Sequence, residues 1–439
     1  MPAIKLEEAD RYFRQKAISP EEFDELYINA DAGRGDRVFD RLKLLLSNNI
    51  EGSLKILLAG HRGCGKTTEL IRLQKYIDND FIILNFSVAK ELDMLNIHYI
   101  ELFIVAMEKL FLFVQKNNFK IADEYLENIK NWVTSHEIET VRTRHLGADI
   151  ETEMKAGINV PFLAKFFGRF KASAKASSSM KETLKTTIEP KLNDLIWHCN
   201  RLITEIKNQL SDINKKGLVI IIEDLDKIPM DKAEDIFYSH SAQVTQLNCH
   251  CIFTFPISLL YNIRFRSILS SYDDRYVLPM IRISERKGGE CREGIKVIKN
   301  IVKQRITLSL FEDTKILEDM IKNSGGCLWD LFRMIRDASS NAVVWSRQTI
   351  SKSDYMHAYH SLKGDYERTI GDNKEKSITV DKYYECLKEC AEDLEKKPKY
   401  SAEIYDLMSN LTILNYNGEN WSDVHPIVRD ILKERKLIA

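Results

Sequence analysis

The sequence has almost no net charge and no long apolar run. Its 64 basic and 65 acidic residues leave a formal charge of −1 at pH 7, so the chain as a whole offers no strong field to a charged partner, although local patches remain open. The most apolar stretch with helical spacing, residues 99–114, contains Glu101, Glu108 and Lys109 and is too short to cross a bilayer. We therefore expect no transmembrane segment.

The chain also lacks a leader layout and a disulfide framework. The eight cysteines are scattered, which favours a reducing, cytoplasmic setting. Neither the pair at 249 and 251 nor the pair at 386 and 390 has a second pair at zinc-site spacing, so core packing is favoured over metal binding. Charged residues interrupt any apolar segment near the start, which argues against a secretory signal: Glu7, Glu8, Asp10 and Arg11.

A length of 439 residues predicts two or three domains, and the clearest motif lies at residues 60–67. This stretch, Gly-His-Arg-Gly-Cys-Gly-Lys-Thr, fits the phosphate-binding pattern G-x-x-x-x-G-K-[ST]. Its glycines allow torsions in which successive N–H groups face phosphate oxygens. We expect Lys66 to reach the β- and γ-phosphates and the Thr67 hydroxyl to ligate Mg²⁺. The predicted nucleotide-binding residues are Gly60, His61, Arg62, Gly63, Cys64, Gly65, Lys66, Thr67 and Thr68.

The sequences on both sides of this motif are those that a phosphate loop requires. Residues 54–59 form a buried-strand run, and residues 68–77 have helical spacing. A glycine-rich turn without a ligand is the alternative interpretation. The strand–loop–helix order favours the phosphate-binding one.

A second motif, which is acidic, supplies the other half of a phosphoryl-transfer site. Phosphoryl transfer needs a carboxylate at Mg²⁺ and a group that orients water. Residues 217–222 are typical of a fully buried strand, and Glu223, Asp224 and Asp226 follow directly. If the strand persists, Glu223 and Asp224 point to opposite sides and can take different roles. We expect both to act in catalysis and at the metal. A cluster of acids capping a helix before Pro229 is the alternative.

The overall pattern predicts an α/β fold. Apolar strand runs alternate with helical segments, which indicates a parallel sheet with helices on both faces. From residue 292 onward the spacing is helical, with a strong turn signal at 416–418. The predicted strands are 54–59, 81–86, 217–222, 251–255 and 276–283.

The order of a phosphate loop, a strand followed by acids, a strand with a polar end and a helical tail resembles the AAA+ superfamily of P-loop ATPases. Within it the chain is most similar to the STAND and Orc/Cdc6-related group, which includes bacterial defence and signalling proteins. The resemblance covers residues 30–117 and 190–439 and implies ATP and Mg²⁺ as ligands. It also implies an all-α lid and a small winged-helix-like C-terminal domain. Glu223 stands where the family usually has Asp, so this metal ligand is one methylene longer.

The resemblance assigns further roles. Thr254 occupies the place of a polar residue that senses the γ-phosphate, although a threonine chosen for strand propensity is an equal alternative. Residues 31–37 resemble the segment that packs on the adenine. Trp329 takes the place of the arginine that the lid helix often carries, and Arg333 is one turn further on.

An arginine that completes a neighbour's site is a further implied feature, if the protein oligomerises. Arg275 is the best placed for this role. Arg264 and Arg266 are the alternatives.

Two segments leave a nucleic-acid partner open. Residues 161–185 combine basic residues with phenylalanines and could contact nucleic acid or a membrane surface, but a mobile loop whose aromatic rings pack on the core is favoured. The tail, residues 400–437, resembles a winged helix with residues 413–418 entering the wing. Its basic end at 433–436 is offset by nearby acids, so DNA is an open candidate.

We expect four regions: an N-terminal helical segment (1–50), a P-loop ATPase core (51–290, with an insert at 118–190), a helical lid (291–398) and a winged-helix-like tail (399–439). The expected function is an ATP-binding and ATP-hydrolysing molecular switch whose nucleotide state controls assembly, as a homo-oligomer or with a partner protein. A non-hydrolysing nucleotide-binding adaptor and an Orc-like DNA-binding ATPase are the alternatives.

Overall fold

The computed structural model describes residues 2–262, 264–416 and 421–439. Its core is a five-stranded sheet in the order β2-β3-β4-β1-β5, with every neighbouring pair parallel. The parallel α/β sheet predicted from the sequence is confirmed. The strands are β1 (Lys55–Gly60), β2 (Phe81–Ser87), β3 (Gly217–Glu223), β4 (His250–Pro256) and β5 (Asp274–Val277).

Fourteen helices of eight or more residues lie in the described ranges. They are α1 (Val38–Asn48), α2 (Lys66–Ile77), α3 (Ile100–Asn117), α4 (Asp123–Thr134), α5 (Ala148–Ala156), α6 (Val160–Ala176), α7 (Leu192–Lys207), α8 (Arg292–Lys303), α9 (Thr314–Asn323), α10 (Leu328–Val344), α11 (Lys352–Thr369), α12 (Val380–Glu392), α13 (Ala402–Ser409) and α14 (Pro426–Glu434). Within the same ranges no helix combines the length and apolar character needed to span a bilayer.

Both faces of the sheet are covered because successive side chains of a strand point to opposite sides. On β1, Leu57 and Ala59 join the core that contains α3 and α7. Ile56 and Leu58 join a second core with α1 and α2. The unbroken apolar run of each central strand follows from this double burial.

The topology brings the two predicted motifs to one edge. Gly60 at the end of β1 pairs with Pro256 of β4, and Ile222 near the end of β3 pairs with Phe253. The loop after β1 and the acids after β3 therefore leave the sheet at the same carboxyl edge, separated by β4. Ligand-binding crevices form at such edges of open parallel sheets.

The last strand is shorter than predicted. β5 ends at Val277, and residues 279–283 form only an isolated bridge at Met280. Pro279 has no N–H to donate to a neighbouring strand, which removes one ladder hydrogen bond at this point.

The N-terminal segment is less helical than predicted. Before α1 it contains only short helical pieces, at Leu6–Glu8, Ala9–Tyr12, Phe23–Leu26 and Asp31–Arg34. The last of these is capped by Gly35, whose φ is 68°. The segment contacts both halves of the molecule. Phe13 packs edge-on against Phe332 of the lid, with centroids 5.3 Å apart.

The insert is ordered and helical, which corrects the predicted mobile loop. Helix α6 packs along α3, and its phenylalanines are buried in the core beneath the sheet: Phe162, Phe166, Phe167 and Phe170. Basic and apolar residues are interleaved along this part of the sequence because they lie on two different faces of helix α6.

Beyond the core, α8 to α12 form an all-helical lid. The tail that follows contains α13, the antiparallel pair β6 (Ile413–Tyr416) and β7 (Trp421–Val424), and α14. Both strands are fully buried. The predicted turn residues Asn417 and Gly418 lie outside the described residues.

Candidate functional site

The phosphate loop has the backbone that its glycines permit. Gly63 and Gly65 have φ values of 75° and 98°, in the left-handed region that a side chain disfavours. Helix α2 then begins at Lys66. The positive end of this helix dipole therefore faces the space enclosed by the loop, where an anion is stabilised.

Lys66 is held inside this loop by three oxygen atoms. Its Nζ donates to the carbonyl of Gly60 at 2.7 Å and to that of His61 at 2.9 Å. A third contact, also 2.9 Å, is the ion pair with Oδ2 of Asp226. Burial lowers the pKa of Lys66, but the Asp226 carboxylate outweighs this effect and the net pKa lies above the ordinary value.

Two acids of the motif, Glu223 and Asp224, are each held by a polar side chain of β2. Asn85 Nδ2 donates to Oε1 of Glu223 at 2.7 Å, and Ser87 Oγ donates to Oδ2 of Asp224. Lys227 also pairs with Asp224 at 2.5 Å. One interpretation of the sequence required strand β3 to continue through the motif. The strand does not continue, because Asp224 adopts a left-handed φ of 70°.

Glu223 has the properties of a ligand for a hard cation. Its Oε2 is buried without a hydrogen-bond partner. Thr67 lines the same cavity as this carboxylate. Burial raises the pKa of Glu223, and the nearby charges of Asp224 and Asp226 add to this. Mg²⁺ is typically bound by one or two carboxylates together with phosphate and water oxygens, so this oxygen and Thr67 fit that ion.

A cavity of about 730 Å³ opens over these groups. Its lining includes the three acids of the motif, Lys90 and six of the predicted nucleotide-binding residues. The loop residues that line it are Arg62, Gly63, Gly65, Lys66, Thr67 and Thr68. Gly60, His61 and Cys64 do not contribute to the lining and lie behind the loop. The His61 imidazole instead accepts a hydrogen bond from the Asn415 N–H of β6 at 2.8 Å.

Comparison with known proteins agrees with this geometry. Residues 40–242, which contain the loop, β2 and the acidic motif, match the model of the KAP family P-loop domain. The chain has the fold of a P-loop NTPase. No curated protein matches it.

Solved structures give only distant likenesses to this P-loop NTPase. The Aeropyrum pernix ORC2 protein in its ADPNP–ADP complexes is 11% identical with a TM-score of 0.42, and the match covers 98% of each chain. The Aeropyrum pernix ORC1 protein in complex with DNA is 12% identical with a TM-score of 0.40, covering 98% of this chain and 97% of that one. The Walker-type ATPase of Pyrococcus abyssi is 12% identical with a TM-score of 0.41, covering 93% and 99%. At these values the likenesses carry no statement about ligands or partners.

Thr254 lies beneath the acidic motif, inside β4. Its Oγ1 accepts a hydrogen bond from the Leu225 N–H at 3.0 Å. The residue as a whole is 1% exposed. The hydroxyl also donates a hydrogen bond to the Ile222 carbonyl of β3 at 3.4 Å. Thr254 thus fixes the turn that carries the acids, and it lines the cavity as well. Its role as a γ-phosphate sensor stays a prediction.

The lid meets the P-loop through Trp329. A Cβ atom placed on Gly63 would lie 2.8 Å from the Cβ of Trp329, so the loop and the first turn of α10 are in close contact. Arg333 is paired with Asp337 at 3.4 Å and with Asp365, and it does not line the cavity. It therefore does not occupy the position of a substitute lid arginine in this structure.

Arg275 lies away from the P-loop of its own chain. It pairs with Leu57 in the sheet register, several residues before the carboxyl end of β1, and is exposed. Its guanidinium lies over the Phe265 ring at 5.1 Å. Arg264 pairs with Glu234. Action on a neighbouring molecule stays a prediction for either arginine.

Several residues of the site were not found from the sequence. Asn85 and Ser87 looked like ordinary strand residues, although two polar residues at the end of a buried strand are a usable signal. Arg34 is buried, donates to the Cys64 carbonyl at 2.5 Å and pairs with Glu69 at 3.1 Å, so it supports the P-loop from behind. Arg305 lines the cavity from the end of the lid helix α8. Only the folded chain brings these residues to the site.

Proposed function

We propose that this protein binds ATP with Mg²⁺ and hydrolyses it, and that nucleotide occupancy controls the arrangement of its lid and its assembly. The observation that carries the proposal is the cavity itself. Its lining combines the P-loop and three acids with residues of the N-terminal segment and the lid. A nucleotide is an elongated ligand with a polyanionic end and an apolar end, and the lining supplies polar groups and apolar side chains for both.

The phosphate end supplies the groups that phosphoryl transfer requires. Backbone N–H groups and the start of α2 face the phosphates, and Lys66 is the cation that reaches them. Glu223 and Thr67 would hold Mg²⁺, which would neutralise charge on the phosphate oxygens. Asp224 is then the carboxylate that orients the attacking water.

The apolar part of the cavity lining suits a nucleobase. Apolar side chains from the N-terminal segment and the lid form it, including Ile18, Tyr27, Leu328 and Phe332. Arg305 lies over the Phe332 ring at 5.1 Å and is held by the carbonyls of Leu26 and Ile301. Because guanidinium groups only donate hydrogen bonds, Arg305 is suited to the acceptor atoms of a base or ribose.

The position of the cavity supports a switch. Its walls come from the core, the N-terminal segment and the lid, so a ligand that contacts all three stabilises one arrangement of them over others. Hydrolysis changes the contacts at the phosphate end and resets that preference. Oligomeric state with and without ATP, measured by sedimentation, tests the assembly part of the proposal.

The first test of binding and turnover is Lys66→Ala. We expect the variant to lose nucleotide binding, measured by calorimetry, and ATPase activity, measured by phosphate release. Lys75→Ala is the matched control, since Lys75 lies on the same helix and pairs with Asp24 at the surface. Full activity of the Lys66→Ala protein would exclude the assignment.

A non-hydrolysing adaptor is the second candidate, and one observation favours it. Asp224 is engaged by both Ser87 and Lys227, which leaves it less available to a water molecule. Nucleotide that copurifies with the protein and shows no turnover above buffer would select this candidate over the switch.

DNA binding by the insert loses its support in the fold. Four of the six basic side chains between residues 161 and 185 are paired with acids of the same chain: Lys165 with Glu153, Arg169 with Asp149, Lys171 with Glu108 and Lys181 with Glu101. Retention of duplex DNA at low salt, lost as salt rises, would revive the DNA-binding alternative through another surface.

A further inference from the structure

Asp226 has a role that the acidic motif alone does not assign. Its carboxylate side chain is 3% exposed and lies 2.9 Å from Nζ of Lys66. The other two acids of the motif have their own partners on β2, Asn85 and Ser87. Asp226 is therefore the acid that faces the P-loop lysine.

Oxygen atoms already surround the Lys66 ammonium group. The carbonyls of Gly60 and His61 accept hydrogen bonds from Nζ at 2.7 and 2.9 Å, and the Asp226 carboxylate forms an ion pair with it at 2.9 Å. A phosphate oxygen that approaches Lys66 therefore competes with these partners for its charge. The two carbonyls belong to the loop backbone, so the Asp226 carboxylate is the partner that can be exchanged.

The exchange has an electrostatic consequence. Once Lys66 turns to a phosphate, Asp226 remains as a buried anion beside a polyanion, which is unfavourable in a low-dielectric site. Mg²⁺ adds two positive charges at the same place and offsets this repulsion. The penalty should therefore be large for a nucleotide without Mg²⁺ and small for the Mg²⁺ complex.

We propose that Asp226 is a positioning residue that holds Lys66 in the nucleotide-free loop and competes with phosphate for it, so that the site selects Mg²⁺-bound over Mg²⁺-free nucleotide. This inference rests on the proposed nucleotide binding. It assigns selectivity for the metal complex to a residue that is not itself expected to ligate the metal.

Calorimetric titration with ADP, in EDTA and in Mg²⁺, tests the proposal. Asp226→Asn keeps the shape and removes the charge, and we expect it to bind Mg²⁺-free ADP about tenfold more tightly than the unaltered protein. Asp226→Ser removes the same charge with a smaller side chain and should act in the same direction. In Mg²⁺ the gain should shrink to within about twofold.

Two matched variants separate charge competition from other effects. Asp226→Glu keeps the charge and should retain weak Mg²⁺-free binding. Asp231→Asn removes the charge of an exposed acid five residues away that does not line the cavity, and it should not tighten Mg²⁺-free binding. Circular dichroism confirms that each variant is folded.

The possible results are distinguishable. Equal or weaker Mg²⁺-free binding by both neutral variants, or equal tightening by Asp231→Asn, overturns the role of Asp226 while nucleotide binding stands. If the unaltered protein binds no ADP under either condition, the proposed function fails and this inference fails with it.

Discussion

At the scale of single residues, the site holds two buried carboxylates whose pKa values are displaced in opposite directions. Burial raises the pKa of Glu223, and its neighbouring acids reinforce the shift. Burial also raises the pKa of Asp226, but the Lys66 ammonium outweighs it and the net pKa lies below the ordinary value. Two acids of one motif therefore affect the stability of the folded chain with opposite signs.

These signs lead to a paired prediction about stability near neutral pH. The folded state disfavours ionised Glu223, so Glu223→Gln should raise the melting temperature by about 2–4 °C, the shift that 1 kcal/mol gives in domains of 150–250 residues. Asp226 stabilises the fold at pH values above its unfolded pKa, and this contribution is lost as the pH falls through its lower folded pKa. Asp226→Asn should therefore lower the melting temperature. Scanning calorimetry of both variants without nucleotide measures the effect, and a drop for Glu223→Gln would contradict it.

The same substitution should separate stability from function. Glu223→Gln removes the carboxylate that fits Mg²⁺, so its gain in stability should come with a loss of the Mg²⁺ dependence of ADP affinity. Functional sites commonly retain groups that cost stability. The residue type and position were predictable from the motif, but the signs of the two shifts depend on partners that lie far away in the chain.

At the scale of elements, the insert shows why its composition misled a sequence interpretation. Helix α6 packs its aromatic face on α3, and Phe167 lies 5.8 Å from Phe111 and 6.0 Å from Trp132, measured between ring centroids. The opposite face carries basic side chains that pair with acids of other elements. Charge that looked unopposed along the chain is opposed in space.

Removal of one of these rings tests how far the insert stabilises the core. Phe167→Ala should lower the free energy of unfolding by about 3–5 kcal/mol, the usual cost of deleting a buried aromatic side chain. Leu112 lies on α3 as well but is 44% exposed, so Leu112→Ala should cost less than about 0.5 kcal/mol. Chemical denaturation of both variants gives the comparison. A cost for Phe167→Ala as small as the control would show that the insert unfolds independently of the core.

At the scale of the whole molecule, the tail is fastened to the P-loop and to the lid. The Asn415 N–H donates to His61 behind the loop at 2.8 Å, and the Tyr416 hydroxyl donates to the Gly325 carbonyl of the lid at 2.7 Å. His425 lies 3.2 Å from Asp330 at the start of α10. The β6–β7 pair thus contacts both walls of the nucleotide cavity from outside, and its strands are not free to contact a partner in this arrangement.

The His61 contact predicts a measurable coupling between loop and tail. His61→Ala leaves the buried Asn415 N–H without an acceptor, at a cost of about 1–3 kcal/mol, so hydrogen exchange of that amide should rise by about 10- to 100-fold. Tyr359→Phe removes a tail hydrogen bond to Asp430 elsewhere and should leave Asn415 exchange unchanged. Exchange measured by mass spectrometry over residues 413–416 gives the result. An unchanged rate in His61→Ala would show that the contact carries no stability.

The pH dependence of this contact has a defined sign. Burial and the Lys66 charge lower the pKa of His61 to about 3, so the imidazole stays neutral and its Nε2 can accept a hydrogen bond in mildly acidic solution. In the unfolded chain the same group takes a proton below about pH 6.5, which favours unfolding as the pH falls.

Much of the core could be predicted from the sequence, since apolar runs and a glycine loop are local signals. The starts and ends of β1, β2, β3 and β4 differ from prediction by at most one residue. The N-terminal segment, the end of β5 and the insert were predicted less well. Their structures depend on packing against the lid, on Pro279 and on distant ion pairs, none of which has a periodic signature.

The sequence by itself determined that a phosphate loop precedes a helix and that acids end a buried strand, because each motif is encoded within a few consecutive residues. Only the tertiary structure decided what each acid contacts. Asn85 and Ser87 reach the motif because β2 pairs with β3, and Asp226 reaches Lys66 because β4 holds β1 and β3 at a fixed separation. Such contacts join residues more than a hundred positions apart, and no local pattern encodes them.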